Sequence, residues 1–414
     1  MNIKKRFCMG LAAALCASVL VGCGSTAVQA DTSLCQTDLS ALAVPQNVQI
    51  IGLGEASHGV SEYQKLKAEV FQALAEHNGC RTFVIEGDFG GSLKVEQYIH
   101  GGPGTAQEAV GEIGFAIYRT QEMAALADWM RSYNEAAPEG QDLHFYGMDM
   151  QRYDNNKEYL FSVLDQAAPA LSAQYQQAFA PLTDDARPTL ASAVLQQGQT
   201  DAQALLDAMD AQQAEITAAV GAQAFAFARE CANSILECCE LTASGSNYNS
   251  LRDGHMQEKV DWILQHGDGT PIFLTGHNGH IGKVSAAGYP CLGSLLAAEY
   301  GDAYFAIGTD AADTRFQSQT DTGFTVRQIK NKNAFTAQLD EISSNFYYLD
   351  FDAAAADANW QSILAKPQRL SGINVGISAW QQYFSFFYTQ TLVPADTYDG
   401  MIVFQSVSPS TLAA

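Results

Sequence analysis

The chain has 414 residues and a formal charge of −23, with 47% apolar and 16% charged residues. A surface this acidic repels phosphate backbones, which excludes nucleic acid as a partner. The apolar share excludes a disordered chain and permits a large core.

The N-terminus reads as a targeting signal. Lys4-Lys5-Arg6 precede an apolar stretch from Phe7 to Val21. A basic head with a hydrophobic run of about 15 residues is too short to span a bilayer comfortably. Leu20-Val21-Gly22-Cys23 then resembles the bacterial lipobox, which implies Cys23 as the lipidated first residue of the mature protein. An ordinary signal peptide cut nearby is the competing reading. The expected organisation is a lipoprotein signal peptide over 1–22, a polar tether over 23–34 and one domain over 35–414. The protein is then exported and lipid-anchored through Cys23 at the outer face of the bacterial cell membrane, with no later segment apolar enough to cross it. Six cysteines lie beyond Cys23, with no CxxC spacing among them, too few for a disulfide scaffold in a domain this large.

Ile50-Ile51-Gly52-Leu53-Gly54 reads as a buried parallel strand. Glu55-Ala56-Ser57-His58 follows at once, on the strand-to-helix turn where open α/β sheets place ligands. Ser61 and Gln64 have capping-box spacing, Leu66, Val70 and Leu74 recur at helical period, and Asn78-Gly79 marks the stop. Thr82 to Glu86 is a second strand, Met123 to Met130 part of a helix, and Leu143 to Asp149 a third strand. From about Tyr159 to Ser250 the composition turns to Ala, Gln and Leu, a helical insertion broken near Pro181 and Pro188. Further strands are expected over Pro271–Thr275, Ala303–Gly308 and Met401–Val407. The fold class is therefore α/β, a mainly parallel central sheet flanked by helices with one helical insertion.

His277-Asn278-Gly279-His280 follows the fourth of these strands. Glu55, His58, Glu86, Asp149, His277 and His280 thus all fall at strand ends, which share one edge in a parallel sheet. Satisfaction of turns and helix ends is the bland alternative, and it suits Glu62, Arg119 and Asp149 at least as well.

In this arrangement the chain resembles the erythromycin esterase family from about Ile51 to Ser408. The matching segments are Leu53-Gly54-Glu55-Ala56-Ser57-His58-Gly59 with Glu62 and Lys67, Val84-Ile85-Glu86, Trp129 to Asn134, Phe145 to Met150 and Arg252-Asp253 with Met256. His277 to Ile281, Leu292-Gly293-Ser294 and Tyr398-Asp399-Gly400 complete the set. Two residues depart from the pattern: Tyr118 stands in place of a Trp, and Lys259 in place of an Asn.

The resemblance implies cleavage of a carboxylic ester or lactone by histidine-activated water, with no metal and no cofactor. His58 becomes the general base, since imidazole, with an ordinary pKa near ~6.5, suits proton transfer at neutral pH. Glu55 or Glu86 orients it, and His277 or His280 holds the carbonyl or oxyanion. Lys67, Arg119, Asp149 and Asn278 are the candidate substrate-binding residues. The partners expected are a small ester or lactone and the membrane at Cys23.

Three rivals remain. Glu55, His58, Glu86, His277 and His280 are all plausible zinc or manganese ligands, although the chain lacks His-Glu-x-x-His. A serine hydrolase has little support, with no Gly-x-Ser-x-Gly elbow and Ser57 directly beside His58. A lipid-anchored binding protein without turnover would use the same cleft, though binding alone rarely needs so many titratable groups.

Overall fold

The computed structural model describes residues 28–413. The expected signal peptide over 1–22 and Cys23 lie outside them. The first elements are β1 (Ile50–Glu55), α1 (Ser61–His77), β2 (Thr82–Asp88), α2 (Phe89–Ile99), α3 (Ala106–Gly111), α4 (Gln121–Ala136) and β3 (His144–Asp149). A run of six helices follows: α5 (Asp154–Ala167), α6 (Pro169–Ala178), α7 (Ser192–Ala211), α8 (Gln213–Val220), α9 (Ala222–Ala243) and α10 (Tyr248–His266). The chain returns through β4 (Ile272–His277), α11 (Asn278–Ile281), α12 (Leu292–Tyr300), β5 (Tyr304–Thr320), β6 (Gly323–Lys330) and β7 (Phe346–Asp350). The short helices α13 (Phe351–Ala354) and α14 (Ala358–Leu364) lead to β8 (Gln368–Ser371), β9 (Thr389–Leu392), α15 (Pro394–Thr397) and β10 (Gly400–Val407).

The central sheet has the order β3-β2-β4-β1-β5-β10-β7, with β6 paired to the far half of β5. From β3 to β10 the neighbours are parallel; β7 and β6 are antiparallel. Alternation along each strand splits the core in two. Ile50, Val84, Tyr146, Ile272 and Leu274 face one side, whereas Ile51, Phe83, Ile85, Phe145 and Phe273 face the other. The first side packs under the six-helix run, the second under α1 and α4. Both faces are covered, so β1, β2 and β4 are buried at every residue and mostly apolar until their polar C-terminal ends.

The helical run extends from Asp154 to His266, wider than the expected 159–250. The strands β6 to β9 carried no signal strong enough to be expected. Residues 30–34 belong to the body rather than to a tether: Ala30 N donates to Gln338 Oε1 (3.0 Å) and Trp360 Nε1 to Asp31 O (3.0 Å). Asn78 and Gly79 do end α1, Gly79 taking φ +67°. The capping box does not form. Val60 is the N-cap, Ser61 Oγ donates to Glu122 Oε1 (2.6 Å), and Gln64 turns inward to Glu55. The six described cysteines are free thiols, five of them buried. No helix among the described residues is long and apolar enough to cross a membrane.

Candidate active site

β1 and β4 are hydrogen-bonded neighbours in a register that sets Glu55 opposite His277. β2 lies on the other side of β4 and brings Glu86, so three strand ends meet over a distance of two strand spacings. Close approach here requires glycine. A Cβ on Gly276 would lie 3.0 Å from Glu86 Oε2, and without it that oxygen accepts from His277 N at 2.8 Å. Gly59, at φ +74°, closes the β1–α1 turn against the Gln317 backbone, where a Cβ would approach the carbonyl oxygen to 2.4 Å.

Glu55 is the hub of one half of the site. Its Oε1 accepts from Lys67 Nζ (3.2 Å) and Tyr118 OH (3.2 Å), and Oε2 accepts from Gln64 Nε2 (3.2 Å). His58 Nδ1 lies 2.9 Å from the same Oε1. Burial alone would raise this carboxyl, but Lys67 and His58 overcome it and hold Glu55 down to about 2. An ionised Glu55 needs a proton on His58 Nδ1, which leaves Nε2 of a cleft-lining ring as the free lone pair.

The other half is a layer of alternating charge. Arg252, from α10, reaches Glu86 Oε1 through Nη2 (2.8 Å) and Asp149 Oδ2 through Nε (3.0 Å) and Nη2. His280 Nδ1 lies 2.5 Å from Asp253 Oδ1, and its Nε2 lies 3.4 Å from Glu86 Oε1 and 3.1 Å from Arg252 Nη1. Burial opposes charge on His280, yet Glu86 and Asp253 outweigh it and push the ring up to about 9. Glu86 is itself held well below the usual carboxylate range: burial would raise it, and His280 and Arg252 prevail.

His277 stands between the two halves and behaves unlike either. Its ring centroid is 5.3 Å from that of His58. Nδ1 accepts from Gly279 N (3.1 Å), capping α11, while Nε2 is buried and has no protein partner. Burial, with the adjacent His58 ring as a lesser cause, pulls the ring down to about 3. His277 is therefore neutral near pH 7, with its single proton on Nε2.

These groups open onto a cleft of about 550 Å³ lined by His58, Glu86, Arg252, His277 and His280, by Phe115, Ile117 and Tyr289, and by Asn374, Val375 and Gln390. Asn374 and Val375 rise from the loop between β8 and β9, and Gln390 from β9 itself; the loop is tied to the β1–α1 turn, Ile373 N donating to Ala56 O (2.9 Å). Farther along this loop Trp380, Tyr383, Phe384 and Phe386 are exposed.

The structure thus brings Glu55, His58, Glu86, His277 and His280 together. It does not bring the four expected substrate-binding residues to the cleft. Lys67 is spent on Glu55 and Gln64, and Asp149 is buried against Arg252. Asn278 locks α11 to β5 through Thr309 O (2.8 Å) and Thr309 N (3.2 Å). Arg119 points to solvent beside the 3₁₀ turn Ala116–Tyr118. Four residues absent from the candidate set belong to the site: Gln64, Tyr118, Arg252 and Asp253. Arg252 and Asp253 had a signal as a segment that carries the family resemblance, and Tyr118 as a departure from it; Gln64 was read only as a cap. Of the two departures from the family pattern, Tyr118 touches the site, whereas Lys259 lies within the insertion against Glu230 and Glu237.

Among the described residues, the trios with metal-ligating geometry are Glu96–His100–His144 and Glu237–His255–Glu258, neither of them at the strand ends. The strand-end carboxylates already face Lys67, Arg252 and His280.

Comparison with known proteins agrees with this architecture. The family model for erythromycin esterase matches residues 75–407. An erythromycin esterase type II from Escherichia coli is 32% identical over 114 residues, a stretch covering 28% of this chain and 26% of that protein. The match to this relative therefore spans about a quarter of its length. A Bacillus cereus protein of known structure superposes with a TM-score of 0.76 at 21% identity, covering 89% of this chain and 91% of that one. A structure titled as a succinoglycan biosynthesis protein gives 0.75 at 19%, covering 89% and 90%. A mutant of the erythromycin esterase EreC in its open conformation gives 0.66 at 14%, covering 89% and 93%. At these identities the three structures share the fold with this chain.

Proposed function

The chain belongs to the erythromycin esterase family, and from that premise we propose that it hydrolyses a carboxylic ester or lactone with His58 as the base. The observation that carries this reading is the pairing of two unlike imidazoles at one cleft. His58 is oriented by an ionised carboxylate with Nε2 left over, and His277 is neutral with an unpartnered Nε2–H.

In the proposed reaction a water gives its proton to His58 Nε2 as its oxygen attacks the carbonyl carbon. Glu55 stabilises the imidazolium through the Nδ1–H hydrogen bond. The oxyanion takes the His277 Nε2–H, a contact worth about 3 kcal/mol in comparable sites. Collapse breaks the C–O bond, and the leaving alkoxide recovers the proton from His58 Nε2. Glu86, Arg252 and His280, with Asp149 and Asp253, act as a fixed wall of paired charges, in which Glu86 holds His277 through its backbone N–H. The cleft volume lies in the range of drug-sized ligands. Macrolactones are one candidate class, by analogy with the erythromycin esterases; acylated polysaccharides are the other, by analogy with the protein titled for succinoglycan biosynthesis. Export and lipidation at Cys23 would place this activity outside the cytoplasm, and loss of radiolabelled palmitate in Cys23→Ala would test that anchor.

The decisive experiment incubates the protein from Gly24 onward with macrolactones and acyl esters, with and without chelator, beside His58→Ala. Chelator-resistant acid release, slowed by about 10² or more in the variant, is expected. A folded His58→Ala protein with near-normal turnover would sink the mechanism. Activity lost only with chelator would transfer the same residues to metal chemistry.

A further inference from the structure

The helical insertion contains a second cluster of titratable groups that the proposed reaction does not use. α9 carries Glu230, Glu237 and Glu240 toward α10, which carries His255, Glu258 and Lys259. His255 is 9% exposed, and Glu237 is 3% exposed. Its Nδ1 lies 2.9 Å from Glu258 Oε2 and 3.9 Å from Glu237 Oε1, while Nε2 lies 3.3 Å from Glu240 Oε2. That Nε2 is buried and makes no aligned hydrogen bond. Four carboxylates face two nitrogen cations here, even with His255 protonated. Lys259, set against Glu230 and 3.0 Å from Glu237 Oε2, answers only part of that charge.

We propose that Glu237, His255 and Glu258 form a binding site for a borderline divalent cation, Zn²⁺ before Mn²⁺. The donor atoms of the three residues all lie within 4.8 Å of one another. Ligands held at roughly 2.0–2.2 Å from one ion stand about 3 to 4.4 Å apart, so this spacing needs little adjustment. An imidazole among carboxylates favours Zn²⁺ or Mn²⁺ over Ca²⁺, which takes oxygen alone. The ion occupies the position of the Nδ1–Glu258 hydrogen bond, and a charged His255 releases one proton as it binds. Glu240 at Nε2 supplies the carboxylate that fixes the ring behind the metal. Exposed Glu258 and half-exposed Glu240 leave the site open to solvent on one side. The consequence reaches the cleft, because α10 also carries Arg252 and Asp253 one turn earlier. Bound metal pins α9 to the helix that holds Glu86, Asp149 and His280 in place.

Chelator-stripped full-length protein titrated with Zn²⁺ by calorimetry and thermal melting tests this. Wild type is expected to bind one equivalent at this site and melt higher. Affinity for that equivalent should fall at least ~10-fold in His255→Ala and in Glu258→Gln. It should persist in His144→Ala, which removes the competing Glu96–His100–His144 trio. Glu258→Gln changes an exposed side chain, so it remains informative should His255→Ala fail to fold. Absence of saturable binding, or binding that both α10 variants retain, overturns the proposal. The readout is metal binding, and a chelator effect on turnover that persists in His255→Ala belongs to the strand ends rather than to this site, so the two results stand apart.

Discussion

Two fully buried lysines, Lys67 at the strand ends and Lys259 in the insertion, show how differently the fold treats the same ion pair. Burial works against both charges. Lys67 meets one carboxylate directly, Glu55, and ends below its ordinary value; Lys259 stands between Glu230 and Glu237 and ends above its own. The number of carboxylates within reach decides the sign. At the strand ends the pairing is left unsaturated, and Glu55 can serve His58 as well. In the insertion negative charge is in excess, which suits a cation.

The largest effect that would break this contrast is Lys259→Met. It leaves Glu230 and Glu237 buried and uncompensated, so urea denaturation should show a loss of about 3–5 kcal/mol. A loss below 1 kcal/mol would mean that the two glutamates simply protonate.

Next comes His277→Asn, which removes the buried N–H facing the cleft. Turnover should fall by about 10²–10³ with little change in KM. An unchanged kcat with raised KM would make His277 a ground-state contact only.

The two histidines of one turn should also give stability opposite pH limbs. His280 is raised in the folded protein to about 9, so its stabilisation is complete below about 6.5 and fades as pH climbs through 9. This contribution is of order 3 kcal/mol. His277 is depressed to about 3, so it penalises the folded state as pH falls from about 6.5 toward 3. Melting temperatures from pH 4 to 10 should therefore fall at both ends, with His277→Asn flattening the acid limb alone. An acid limb unaltered in that variant would show the ring to be charged in the fold.

The smallest effect is expected of Tyr118→Phe. Glu55 loses one of four partners, and a hydrogen bond to a charged group is worth about 1.5–3 kcal/mol. Since Lys67, Gln64 and His58 remain, kcat/KM should drop roughly tenfold at most. A loss as large as that of His58→Ala would give Tyr118 a direct part in the chemistry.

Periodicity and turn chemistry determined a good deal by themselves: the apolar strands from Ile50, Thr82, Leu143 and Pro271, the helical insertion, and the polar residues at their ends. These are local signals, since burial on both faces of a sheet writes itself into every residue of a strand. Only the tertiary structure decided which of those polar residues are free to act. Lys67 and Asn278 stand at equally promising positions, yet each is consumed by a neighbour, Glu55 for one and Thr309 for the other. His277 and His280 sit on the same turn three residues apart. One is neutral with an open N–H and the other is clamped by Asp253, Glu86 and Arg252. Those partners come from α10 and β2, distant in sequence, and the charge state of a buried imidazole depends on them rather than on its own segment.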